Sequence, residues 1–169
     1  MAITTMEEKF LYDLGTIYDA EHRFLDAQKE LAQTAHSSEL KQMIYGHISQ
    51  TQQHIANLEQ VFKLLDQKAK RGKGDAASGL VAEGQRALKE LSGTPEVVDC
   101  AILDAVVKVE HYEIATYTAL IAHAEQIAQA SITNLFKDNL KQEEATVKAA
   151  EKFAPKQIER ALQVRQLSA

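Results

Sequence analysis

The sequence predicts an all-α chain: four long helices in two antiparallel hairpins, a long crossover between the hairpins, and a short fifth helix. Three observations lead there. The 169 residues hold 2 Pro and 7 Gly and are rich in Ala, Leu, Glu, Gln and Lys, a composition that favours helix. Apolar residues recur at spacings of three and four along four long stretches, so each stretch has one apolar face. The interruption inside each pair of stretches is short, and the one between the pairs is long enough to travel the length of a bundle. The whole chain, 1–169, reads as a single domain able to bury a sizeable core.

The first helix starts at Thr4 or Thr5, because Thr4 with Glu7, or Thr5 with Glu8, has capping-box spacing. Its inward stripe is Phe10, Leu14, Ile17, Glu21, Phe24 or Leu25, Gln28 and Leu31, and it fades near His36. Ser37 and Ser38 cap the second helix, with Glu39 in its first turn. That helix carries Leu40, Ile44, His47, Gln50 or Thr51, His54, Leu58, Val61 and Leu65.

Residues 68–75 (KAKRGKGD) are basic, rich in Gly and without apolar period, and are expected as an exposed loop. A shorter helix covers 78–91 within the crossover. Gly93, Thr94 and Pro95 then stop one helix and start the next. The third long helix runs from Pro95 to about Ile127, with Ile102, Val106, Glu110, Glu113, Tyr117 and Leu120 on one face. A turn is expected at Gln129-Ala130-Ser131, with Ser131 as cap. The fourth long helix presents Ile132, Leu135 or Phe136, Asn139 or Leu140, Glu143, Thr146 or Val147, and Ala150. Pro155 is expected to end or kink it, leaving a short helix over 155–167.

Each long helix thus puts a polar group on its inward face near mid-length. They are Glu21; Gln50 and His54; Glu110 and Glu113; and Glu143. In antiparallel hairpins, groups equally far from the turn come level, and these are within a turn or two of level. Buried carboxylates are costly unless protonated, paired or bound to a cation. Two divalent cations would neutralise four of them, and carboxylate with imidazole suits iron or manganese, with zinc as a third choice. The bland alternative is a buried network with shared protons. Glu21, His54, Glu110, Glu113 and Glu143 are the expected ligands of one or two ions. Gln50, His47 and Tyr117 are expected behind them.

At these residues the chain resembles the YciE/YciF family of bacterial stress proteins, which is ferritin-like. The resemblance spans about Glu8 to Phe153 and is most specific at Tyr18-Asp19-Ala20-Glu21, His47 to Val61, Val109 to Ala115 with Tyr117, and Leu140 to Thr146. It implies a five-helix ferritin-like fold, a homodimer and a di-metal or ferroxidase-like site. By position, Glu21, Glu110, Glu113 and Glu143 match the family's inward carboxylates. Three positions depart: the family has Glu where this chain has Gln50, Gln where it has His54, and Asp where it has Val147. Gln50 removes a bridging carboxylate, and His54 offers a nitrogen in return.

Charge and cysteine content narrow the field further. The net charge of −5 does not favour nucleic acid as a partner. The one cysteine, Cys100, can form no intrachain disulfide. No stretch approaches the ~18 apolar residues of a membrane span, and a cytoplasmic location is the expectation. Two functions stand side by side. One is a metal-binding stress protein with an oxidase, ferroxidase or peroxide-reacting site, whose partners are metal ions and oxygen or peroxide. The other is a non-enzymatic dimeric helical protein with a single-metal or metal-free site.

Overall fold

The computed structural model describes residues 2–91, 93–127 and 129–167. They form five helices: α1 (Met6–Thr34), α2 (Ser38–Leu64), α3 (Asp75–Glu90), α4 (Pro95–Gln126) and α5 (Ala130–Leu167). The short α1–α2 and α4–α5 connections make two hairpins, with α2 against α5 and α1 against α4. The α3 helix belongs to the crossover and lies on α1 and α4.

Several ends follow the residues that mark them. Thr5 Oγ1 accepts from the Glu8 N–H at 3.1 Å, and Glu8 Oε2 accepts from the Thr5 N–H at 3.1 Å, which selects Thr5 over Thr4 as cap. Ser37 Oγ accepts from the Leu40 N–H. Pro95 opens α4 behind Thr94, although the Thr94 side chain makes no cap bond. At the end of α2, Asp66 takes φ 53° and the Gln67 N–H reaches the Phe62 carbonyl at 2.9 Å, a Schellman-type closure.

Four expectations change. The crossover helix begins at Asp75 rather than Ser78, because Asp75 suits a helix N-terminus and Ala77 is already fully buried. Gln129, not Ser131, precedes α5, and its carbonyl accepts from Ile132 and Thr133; Ala128 and Ser92, in the two turns, lie outside the described residues. The expected separate helix over 155–167 is part of α5, which runs through Pro155. Proline costs that helix one hydrogen bond. Packing holds the segment on course: Phe153 and Ala154 pack on the core, and buried Gln157 bonds Asp99. The basic loop is exposed along most of its length but tethered. Arg71 Nε meets Asp19 Oδ1 at 2.8 Å, and the Gly72 N–H reaches the Gly15 carbonyl at 2.7 Å.

The interior holds two apolar clusters. One contains Leu14, Ile17, Phe24, Leu58, Tyr117, Leu120 and Phe136. The other contains Ala32, Leu40, Ile44, Ile102, Val106 and Ala150. Along every long helix the polar inward residues fall between the members of these clusters. The bundle therefore has a polar layer enclosed by apolar packing at both ends.

Candidate metal centre

Helical periodicity places the layer. Glu21 takes an inward position between Ile17 and Phe24 on α1. Glu110 and Glu113 lie one turn apart between Val106 and Tyr117 on α4, and Glu143 lies between Asn139 and Val147 on α5. On α2, His47 and His54 are two turns apart on the same face. All six are at most 5% exposed.

The layer resolves into two groups. His47, Glu110, Glu113 and Glu143 offer ligand atoms that all lie within 4.8 Å of one another, and so do Glu21, His54 and Glu143. Glu143 belongs to both. His47 Nδ1 is 3.1 Å from Glu110 Oε1, and its Nε2 is 3.8 Å from Glu143 Oε2. His54 Nδ1 is 2.8 Å from Glu143 Oε1 and 3.5 Å from Glu21 Oε1. Yet His47 Nε2, both oxygens of Glu113, Glu143 Oε2, Glu21 Oε2 and Glu110 Oε2 have no hydrogen-bond partner. Buried polar atoms are normally satisfied. Here they converge on one another's neighbourhood, as ligand atoms around a cation do.

Electrostatics accentuates this. Burial, with the charges of Glu143 and Glu21 nearby, pushes the Glu110 and Glu113 carboxyls well above the usual range, which favours their protonated forms when no cation is present. Burial also raises Glu21. Burial opposes a charge on His54, but its contacts with Glu143 and Glu21 outweigh that and lift the imidazole to about 10. His47, more desolvated than compensated, drops to about 4. Glu143 is lowered despite its burial, chiefly by His54. The layer thus pairs a neutral and a charged histidine around one carboxylate.

Outer contacts fix these side chains. The Tyr117 hydroxyl donates a short hydrogen bond to Glu21 Oε1, and Asn139 Nδ2 donates to Tyr117 Oη at 2.9 Å. Asn57 in turn donates to Asn139. His54 Nε2 is 3.3 Å from Gln142 Oε1, so an Nε2–H proton there leaves Nδ1 as the ligand-type nitrogen.

Of the expected ligands, Glu21, His54, Glu110, Glu113 and Glu143 all meet in the layer. Tyr117 lies against Glu21, to which its hydroxyl donates. His47 does not stand behind the others but among them, and its two-turn spacing from His54 was the available signal. Gln50 is half-buried at the rim, where its Oε1 accepts from Thr146 Oγ1 at 3.3 Å. His22 and His123 are half-buried and His111 is exposed, all outside the layer, and Glu144 is exposed. Periodicity did not single out Gln142, which reaches in from a half-buried position.

The donor set fits a metal centre. Four carboxylates and two neutral imidazoles balance two divalent cations, and oxygen with nitrogen ligands is the chemistry of iron, manganese or zinc. Among the described residues no helix is long and apolar enough to cross a membrane.

Comparison with known proteins places the chain. Residues 5–163 match a family described as "Domain of unknown function (DUF892)". The chain belongs to the DUF892 family. Protein YciF of Escherichia coli (strain K12) is 35% identical over 147 residues, covering 86% of this chain and 88% of that protein. The crystal structure of the E. coli stress protein YciF superposes with a TM-score of 0.87 at 32% identity, over 93% of this chain and 99% of that one. YcfI from Rhodopseudomonas palustris, described as a candidate structural protein, gives 0.86 at 36% identity, over 88% and 94%. The resemblance read from the motifs is borne out at the family level, and the all-helical DUF892 fold fits the ferritin-like superfamily.

Proposed function

We propose that the chain is a ferritin-like metalloprotein that binds two ions, iron or manganese with zinc third, and reacts with oxygen or peroxide. The observation that carries the reading is the pair of buried ligand groups sharing Glu143. Bound iron or manganese would supply one-electron redox chemistry toward oxygen or peroxide. His47, Glu110 and Glu113 would hold one ion, Glu21 and His54 the other, with Glu143 between them. Tyr117 holds Glu21 in place, and the apolar clusters keep bulk water away. E. coli YciF is named a stress protein, and we extend that role to this chain, together with a homodimeric state and a cytoplasmic location.

Elemental analysis of protein purified without chelator tests the reading, with Glu110→Ala beside it. Near-stoichiometric metal in the parent and loss in the variant supports it. Oxygen uptake on addition of iron(II) then tests redox turnover, and light scattering tests the dimer. A cage-sized mass would point instead to storage.

A second reading, a non-enzymatic helical protein, is favoured by Gln50 and Val147, which put no ligand where the family has one. It expects no metal after reconstitution, with the raised carboxyls of Glu110 and Glu113 neutralised by protons.

A further inference from the structure

A cavity of about 240 Å3 lies beneath α3, walled by α1, α2, α4 and Thr146 of α5, and its inner end is the metal-ligating layer. Its walls are apolar: Phe24, Leu31, Ile44, Leu80, Leu88 and Val106 are among them. Its inner end is not. Gln28, His47 and Glu110 line it, each is less than 10% exposed, and each carries a buried atom without a hydrogen-bond partner. Such a shape, an apolar body ending in unsatisfied polar groups, is that of a small-molecule site.

The cover is lightly held. Only Ala77 of α3 is buried, while Leu80, Val81 and Leu88 are half-buried over the cavity. Surface polar contacts clip α3 on both sides: Gln85 Nε2 to Glu30 Oε2 at 2.9 Å on α1, and Lys108 Nζ to Glu83 Oε1 at 2.5 Å on α4. Glu30 and Gln85 also stand at the cavity rim.

We infer that this cavity binds a small uncharged organic molecule, with its apolar body under α3 and a hydroxyl or similar group turned toward Gln28, His47 and Glu110. The lining decides the class. A hydrated metal ion finds no polar wall along it, whereas a separate polar depression of Gln50, Gln53, Asn57, Asp138, Lys141 and Gln142 adjoins His54 from the α2–α5 side. An anion meets Glu30 at the rim and Glu110 at the end, with no Lys or Arg in the lining. A neutral molecule of about a dozen non-hydrogen atoms suits both the volume and the polarity. The inference deepens the metal-centre reading, on which its catalytic meaning rests, but binding in the cavity does not itself need the ion.

The test uses 1-naphthol and the full-length, metal-free protein at pH 7, followed by NMR and calorimetry. One-to-one binding is expected, with Kd on the order of 100 µM. The resonances of Leu80, Val81, Leu88, Val106 and Val109 should shift. A Cβ on Gly84 would meet Ala105 Cβ at 3.5 Å, an ordinary contact, so the backbone there accepts a side chain and Gly84→Leu adds bulk to the lining. Gly84→Leu and, from the opposite wall, Ala27→Leu should each weaken binding at least tenfold while leaving metal content unchanged. The anion 1-naphthoate should bind at least tenfold more weakly than 1-naphthol. No binding of 1-naphthol, shifts confined to other surfaces, indifference to both filling variants, or equal binding of the anion overturns the proposal. Metal uptake measured on the same preparation separates the two ideas: metal without naphthol binding ends this one alone, and naphthol binding without metal ends the metal-centre reading alone.

Discussion

Glu143 stands between the two histidines of α2, with Oε1 2.8 Å from His54 Nδ1 and Oε2 3.8 Å from His47 Nε2. A carboxylate shared in this way serves both ligand groups, whereas Glu21 serves one and Glu113 the other. Glu143→Gln, which keeps the size, should therefore abolish binding of both ions, while Glu21→Gln and Glu113→Gln should each leave about one of two. Metal-to-protein ratios after reconstitution decide it. Equal losses in all three variants would contradict a shared ligand.

Metal binding should release protons. In the metal-free fold burial and neighbouring carboxylates raise Glu110 and Glu113 well above the usual range, which favours their protonated forms. His54 carries a proton because its imidazole is lifted to about 10. A cation must displace these protons, so affinity should rise with pH between about 6 and 8. Calorimetry in two buffers of different ionisation enthalpy gives the proton count directly.

The same groups set the stability of the metal-free protein. For His54, with a folded value of about 10 against 6.5 unfolded, the stabilisation is fully present below 6.5 and is lost as pH rises toward 10. The raised Glu110 and Glu113 act in the same sense, since the folded state holds protons that the unfolded chain has already released above 4.5. His47, lowered to about 4, is neutral in both states above 6.5 and does not oppose them. Stability with chelator present should fall by a few kcal/mol between pH 6.5 and 10. His54→Gln should flatten that slope, and added metal should reverse it. Urea unfolding across pH gives the answer.

The positions of these groups were legible because helical period is a local property. Phe10, Leu14, Ile17 and Glu21 declare one face without any knowledge of the partner helix. That the carboxylates would meet followed from level positions in two hairpins. His47 was harder, because a histidine on a core stripe reads equally as packing, and only the facing Glu110 and Glu143 decide. Pro155 misled for the opposite reason: its local cost is real, and distant contacts at Phe153 and Gln157 override it. Tethering of the basic loop was not legible at all, since it depends on one backbone approaching another across 55 to 57 positions of chain, as in Gly74 to Asp19 and Gly72 to Gly15.

That approach supplies a further prediction. A Cβ on Gly72 would lie 2.8 Å from the Gly15 carbonyl carbon and 2.9 Å from the Thr16 nitrogen, both backbone atoms of α1. A helix backbone cannot yield, so the loop must lift, straining the Arg71–Asp19 contact and the Gly72–Gly15 hydrogen bond. Gly72→Ala should cost about 1–3 kcal/mol in urea unfolding, whereas Gly79→Ala, with nothing near its Cβ, should be neutral or slightly stabilising.

Asp99 ties the other end of the molecule together. It is 1% exposed on α4, and its two oxygens accept from the backbone N–H groups of His36 and Ser37 at 2.7 and 2.8 Å. Those are the residues of the α1–α2 turn, so one carboxylate ties the turn of the first hairpin to α4. Gln157 Nε2 adds a longer contact at 3.4 Å, which brings α5 to the same point. Asp99→Ala leaves backbone donors unpaired and an empty volume beside them, at a cost of about 3 kcal/mol. Asp99→Asn keeps one acceptor and should cost about half as much. Because the hairpin carries Glu21, His47 and His54 while α4 carries Glu110 and Glu113, loosening this tie should also weaken metal binding in Asp99→Ala, though Asp99 is not among the ligand groups. Urea midpoints and metal titrations on the two variants should fall in the same order. A stability loss with unchanged metal affinity would show that the layer is aligned by its own packing rather than by the turn.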